Sequence, residues 1–151
     1  MRKVVLGIAL AAAAAMPNSG IAASAKTACY SANEIEAEQA IRFVTDLMVA
    51  SSTCQNTTYA EFRNRNQAAI VAYQKALIRH FHGAKGFDAW NTSLANLAAQ
   101  RSAGMPSAQV CQQAAPMMQK ASALDSKGFH DYAVAQAAAA GPQYTRCGKG
   151  K

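Results

Sequence analysis

Residues 58–83 read TYAEFRNRNQAAIVAYQKALIRHFHG, and their periodicity decides the fold class. Tyr59, Phe62, Asn66, Ala69, Tyr73, Leu77 and Phe81 recur at steps of three or four, which places them on one face of an α-helix. Arg63, Gln67, Lys75 and Arg79 fall on the opposite side, and Asn66 is the one polar break in the apolar stripe. Thr58 and Glu61 have capping-box form, and Gly83 suits a helix stop. The spacing predicts a helix over 58–82.

The same period continues in both directions. Upstream, Ala37, Ile41, Val44 and Met48 predict a helix over about 33–53, flanked by Ala40 and Leu47. Asn33 is the expected N-cap, and Glu34, Glu36 and Glu38 complement the dipole at the helix start. Glu38 and Arg42, four apart, are expected to pair on the outer face. Downstream, Phe87, Trp90, Leu94 and Leu97 predict a helix over about 86–102, with Gly83 to Gly86 as a joint before it. Val110, Cys111, Ala114, Met117 and Met118 predict a fourth helix begun at Ser107, which Pro116 should kink or divide. Phe129, Tyr132, Ala133 and Gln136 predict a fifth over about 127–140, after a break at Asp125 and Ser126. No stretch alternates with period two. Short connections favour antiparallel neighbours. The chain therefore reads as all-α: one compact bundle of four or five helices with an irregular tail.

The first 25 residues have another character. Arg2 and Lys3 precede an uncharged, alanine-rich stretch from Val4 to Met16, then Pro17, Asn18, Gly20 and the small residues Ala23, Ser24 and Ala25. This is the layout of a cleavable export signal, with cleavage expected after Ala25 and a domain over 26–151. The apolar run is too short to cross a bilayer, which takes about 20 residues. A lipoprotein signal is excluded because Lys26 stands where a large aliphatic residue is needed before Cys29. The layout points to a bacterial periplasm or to secretion. In that setting the acceptor patterns at Asn56 and Asn91 are silent.

Cys29, Cys54, Cys111 and Cys147 all lie after the signal. Their separations contain no C-x-x-C, which argues against a thioredoxin-like site, a haem attachment and a zinc ribbon. Two structural disulfides are expected. If the helices alternate in direction, the end of the first and the start of the fourth share a pole. That favours Cys54 with Cys111 and leaves Cys29 with Cys147 to tie the termini.

The net charge of +7 falls to +5 once Arg2 and Lys3 are removed. Modest basicity permits contact with an anionic surface. Nucleic acid is a poor match, since the basic residues are not interleaved with exposed aromatics.

Few residues suggest chemistry. His80, His82 and His130 are weak metal candidates, because residues two apart on a helix point about 200° apart. His130 and Asp131 lack the geometry of a hydrolase triad, and no nucleophile elbow is present. Met105, Met117 and Met118 could bind copper(I), but packing beside a proline accounts for them more simply. Phe81, Phe87 and Trp90 surround the glycine joint, with Arg79 and Lys85 beside them, and form a candidate partner surface. No catalytic residue, cofactor or metal site is assigned. The expected function is a non-enzymatic, exported binding protein, chaperone- or adaptor-like, with another envelope protein or an anionic envelope surface as partner. The alternatives are a periplasmic metal-binding protein and a small enzyme with an unfamiliar site.

Overall fold

The computed structural model describes residues 29–148. The expected export signal, its cleavage site, Lys149 and Lys151 lie outside that range. The described residues form five α-helices: α1 (Ala32–Thr53), α2 (Thr58–His80), α3 (Ala84–Arg101), α4 (Ser107–Ala123) and α5 (Ser126–Ala140). A short 3-10 turn, Gly141–Gln143, follows α5. Among these residues there is no strand, only an isolated bridge between Tyr30 and Arg146.

The bundle is built around α1, which packs against each of the other four helices. Ala37 and Ala40 are fully buried and let neighbouring backbones approach closely. Ile35, Ile41, Phe43, Val44 and Leu47 fill the space between them. The expectation that Glu38 and Arg42 lie on an outer face is therefore corrected. With neighbours on several sides α1 has little outer face, and Glu38 is 2 % exposed. At the centre, Phe43, Phe62 and Phe129 meet with ring centroids 5.0–6.2 Å apart. Phe62 meets the other two rings edge-on, which suits the charge distribution of aromatic rings.

The helix boundaries follow the sequence closely, but the caps differ. Ser31, not Asn33, caps α1: Ser31 Oγ accepts from the Glu34 amide, and the Glu34 carboxylate accepts from the Ser31 amide. At α2 the expected Thr58–Glu61 box does not form. Thr57 takes the cap position, its hydroxyl donates to Glu61 at 2.7 Å, and Asn56 Oδ1 accepts from the Thr58 amide. Asp125 caps α5 by accepting from the Gly128 amide.

Irregularity falls at Asn66, not at Pro116. α4 runs unbroken through Pro116, whose ring is exposed on the solvent side. Water can there satisfy the carbonyl that the proline leaves without a donor. In α2, by contrast, Asn66 leaves the helical region (φ −111°, ψ 15°) and is fully buried. Its side-chain amide donates to the Phe62 carbonyl at 3.0 Å and to the Leu124 carbonyl at 3.2 Å. The polar break in the stripe is thus a kink that ties α2 to the end of α4.

Both expected disulfides are present, Cys54–Cys111 and Cys29–Cys147. The first joins the end of α1 to the first turns of α4. The second joins the segments that precede α1 and follow α5.

Candidate functional site

At one pole of the bundle α1 begins, α2 ends, α3 begins and the tail returns. Most of the sequence candidates gather here, and three carboxylates of α1 organise it. Glu34, Glu36 and Glu38 are spaced two apart, so they diverge around the helix and reach different neighbours.

Glu34 serves the capping box and also lies 3.2 Å from His80 Nδ1. Burial raises its carboxyl, but hydrogen bonds from Ser31 and then His80 outweigh that and hold it below its ordinary value. Glu36 accepts from the Tyr73 hydroxyl at 2.8 Å and lies 2.9 Å from His130 Nδ1. Glu38 Oε1 is bound by Arg42 and accepts from the Tyr144 hydroxyl at 3.0 Å, while Gln39 donates to that same hydroxyl at 2.7 Å. Glu38 Oε2 has no direct hydrogen-bond partner among the described residues. The Tyr30 hydroxyl stands close by: burial, and then Glu38, push it well above the ordinary tyrosine value. Burial and then Glu36 do the same to Tyr73.

The three histidines do not converge. His80 is buried, with the Tyr30 ring tilted against it at 4.1 Å and its Nε2 without a partner among the described residues. His82 lies on the turn after α2 in the left-handed region (φ 58°) and is exposed. His130 is on α5, with Glu36 and Tyr73. Among the described residues no three His, Cys, Asp or Glu side chains come together as metal ligands. Asp131 turns away from His130 to pair with Lys127.

The aromatic set is largely closed. Phe87 is buried, and Phe81 stacks on Trp90 at 5.2 Å, both partly buried against the core. Arg42 lies over the Trp90 ring at 5.9 Å. Gly86 keeps the joint tight, since a Cβ there would collide with the Phe81 carbonyl. Arg79 and Lys85 are exposed beside this set.

The methionines lie toward the other pole. Met117 and Met118 pack on the core, and Met118 Sδ accepts from the Asn56 amide at 3.1 Å. Met105 and Met117 line a mostly apolar groove of about 200 Å³ between α1, α3 and α4, with Asp46 and Arg101 paired at its wall.

Sequence reasoning missed Tyr30 and Tyr144, which roof Glu38, and the pairing of Tyr73 with Glu36. Residues 37 positions apart, as Tyr73 and Glu36 are, or 106 apart, as Tyr144 and Glu38 are, leave no periodic trace. One signal did exist: Tyr30 follows Cys29 and Tyr144 precedes Cys147 by three, so the cystine itself makes them neighbours.

Each of the three carboxylates of this pole has an internal partner, but several of its surface cations do not. Arg79, Lys85 and Arg146 form no ion pair among the described residues, nor do Lys75 and Arg63 farther along α2. The other cations are engaged: Arg42 with Glu38, Arg101 with Asp46, Lys127 with Asp131, Arg65 with two carbonyls ending α4, and Lys120 over Tyr132. Asp88 is the exposed acid of the neighbourhood. No protein-family model, curated protein or solved structure matches the chain.

Proposed function

We propose that this chain is an exported, non-enzymatic interaction protein of the periplasm, and that its cationic pole docks on an anionic partner at the cell envelope. One observation carries the proposal. The three carboxylates of the pole are each tied to internal partners, whereas Arg79, Lys85 and Arg146 are exposed with no ion pair among the described residues. Arg79, Lys85 and Arg146 are therefore the charges of the pole left free to meet an anionic group. Phe81, Phe87 and Trp90 then act as the rigid floor beneath Arg79 and Lys85, not as the contact surface. The signal-like N-terminus and the two cystines support export, because disulfides persist in oxidising compartments.

Co-sedimentation with phosphatidylglycerol vesicles, and pull-down from an oxidised periplasmic extract, test this. Binding in at least one assay should weaken with added salt and be lost in the triple variant R79E/K85E/R146E. The reading fails if the chain is retained in neither assay, or if the triple variant binds as well as the parent.

A further inference from the structure

Residues 29–31 and 144–147 run side by side as a strap across the pole. The Tyr30 amide donates to the Thr145 carbonyl at 2.9 Å, and the Cys147 amide donates to the Tyr30 carbonyl at 3.1 Å. The Cys29–Cys147 bond is the covalent tie between the two segments. Under the strap, the Tyr30 ring rests on His80 and meets Tyr144 at 4.9 Å. The Tyr144 hydroxyl reaches Glu38, whose side chain is 3 % exposed. The two tyrosines of the strap thus keep water from a buried carboxylate. Beside them Glu38, Gln39, Arg42, Ala140, Gln143 and Tyr144 line a polar cavity of about 400 Å³.

The two cystines differ in access. Cys29 and Cys147 are both exposed, whereas Cys54 and Cys111 are half-buried where α1 meets α4. We propose that Cys29–Cys147 is a redox latch: its reduction by a dithiol frees the strap and opens the Glu38–Arg42 site to solvent, while the five helices stay assembled. The thiolate of the reductant attacks one sulfur, forming a mixed disulfide and expelling the other cysteine as thiolate. The second thiol of the reductant then attacks the mixed disulfide. The reductant leaves as a cyclic disulfide, and Cys29 and Cys147 end as thiols, having gained two electrons and two protons. The freed strap keeps two backbone hydrogen bonds between its segments, the bonds of the Tyr144 hydroxyl with Glu38 and Gln39, and its ring contacts. The helices keep the Phe43–Phe62–Phe129 centre and the second cystine. This device is independent of what the cationic pole binds.

Graded dithiothreitol treatment of the oxidised chain, quenched with iodoacetamide and read by peptide mass spectrometry and amide hydrogen exchange, tests it. Cys29 and Cys147 should be alkylated at a reductant concentration at least tenfold below that for Cys54 and Cys111. Protection should then fall in residues 30–42 and 143–147 and persist in α4 and in α2 before its last turn. The variant C29S/C147S should show the same open pattern without reductant; if it fails to fold, graded reduction of the parent decides alone. Reduction of Cys54–Cys111 first or together with the latch pair overturns the proposal. So does reduction of the latch pair with exchange at residues 30–42 unchanged.

Discussion

Glu38 and Asp131 each pair with a cation four residues away on the same helix, yet water separates their roles. The Glu38 side chain is 3 % exposed and that of Asp131 is 57 % exposed. Removing one partner of a buried pair leaves an uncompensated charge, which costs about 3–5 kcal/mol. Arg42 is 40 % exposed and can turn to solvent, so Glu38→Ala should fall at the lower end, about 3 kcal/mol, by urea denaturation. Asp131→Ala should leave the midpoint where it was, since an exposed pair contributes little. The same residues set the pH dependence. Tyr30 and Tyr73 are raised in the fold above their ordinary value of 10.0. Their stabilising contribution is complete below that pH and is lost as pH rises from there toward the folded values, because the unfolded chain releases the protons first. Glu34 is held below its ordinary value of 4.5. Its contribution is present above that value and is lost as pH falls through the lower folded one. Thermal melts across pH should therefore show a plateau between a loss below about 4.5 and a loss above about 10, the ordinary carboxyl and tyrosine values. A melting temperature still level at pH 11 would refute the tyrosine half.

At the level of the helix, most starts and stops were legible, because apolar period and turn residues act locally. Which residue closes a cap was not. Asn33 and Ser31 are both good N-cap types, and the choice falls to Ser31 because Glu34 stands three residues after it and can close the box in both directions. Ser31→Ala should cost about 1 kcal/mol and Asn33→Ala nearly nothing; equal losses in the two would contradict the assignment. Ser31→Ala should also flatten the acid limb of the pH profile, since the Ser31 hydrogen bonds help hold Glu34 down. The expectation that Pro116 could divide α4 missed for a related reason. A proline lacks a donor wherever it sits, but the penalty depends on whether water reaches the carbonyl it leaves bare, and exposure is not a local property. Pro116→Ala should raise stability, by up to about 3 kcal/mol, without changing the helix. Asn66 gave the opposite outcome. Its place in an apolar stripe marked it as odd, and the oddity is a kink stabilised by a carbonyl 58 positions away.

Across the whole molecule, alternation of short-linked helices was enough to place Cys54 with Cys111, and Cys29–Cys147 followed by elimination. It was not enough to show that α1 stands at the centre, which depends on how four other helices choose their faces. That one fact moved Glu38 from surface to core. It also distributes stability unevenly. α4 buries only Val110 and Ala121 fully, with Met117 and Met118 partly covered. α1, by contrast, buries eleven residues. A helix so thinly packed opens easily unless something else ties it. Cys54–Cys111 is that tie, anchoring the start of α4, and the Asn66 and Arg65 bonds to carbonyls at 121, 122 and 124 anchor its end. By loop-closure entropy the two cystines stabilise the fold by similar amounts, about 4 kcal/mol for Cys54–Cys111 and about 5 for Cys29–Cys147. Their local consequences should differ. In C54S/C111S, hydrogen exchange should quicken most through α4 from Ser107 to Met117, beyond the general loss of protection that a less stable fold imposes on α1, α2 and α5. In C29S/C147S, the strap should be exposed and α4 should lose no more protection than the other helices. Uniform acceleration across all five helices in C54S/C111S would mean that α4 is held by packing after all, and that the cystine acts only on the unfolded chain.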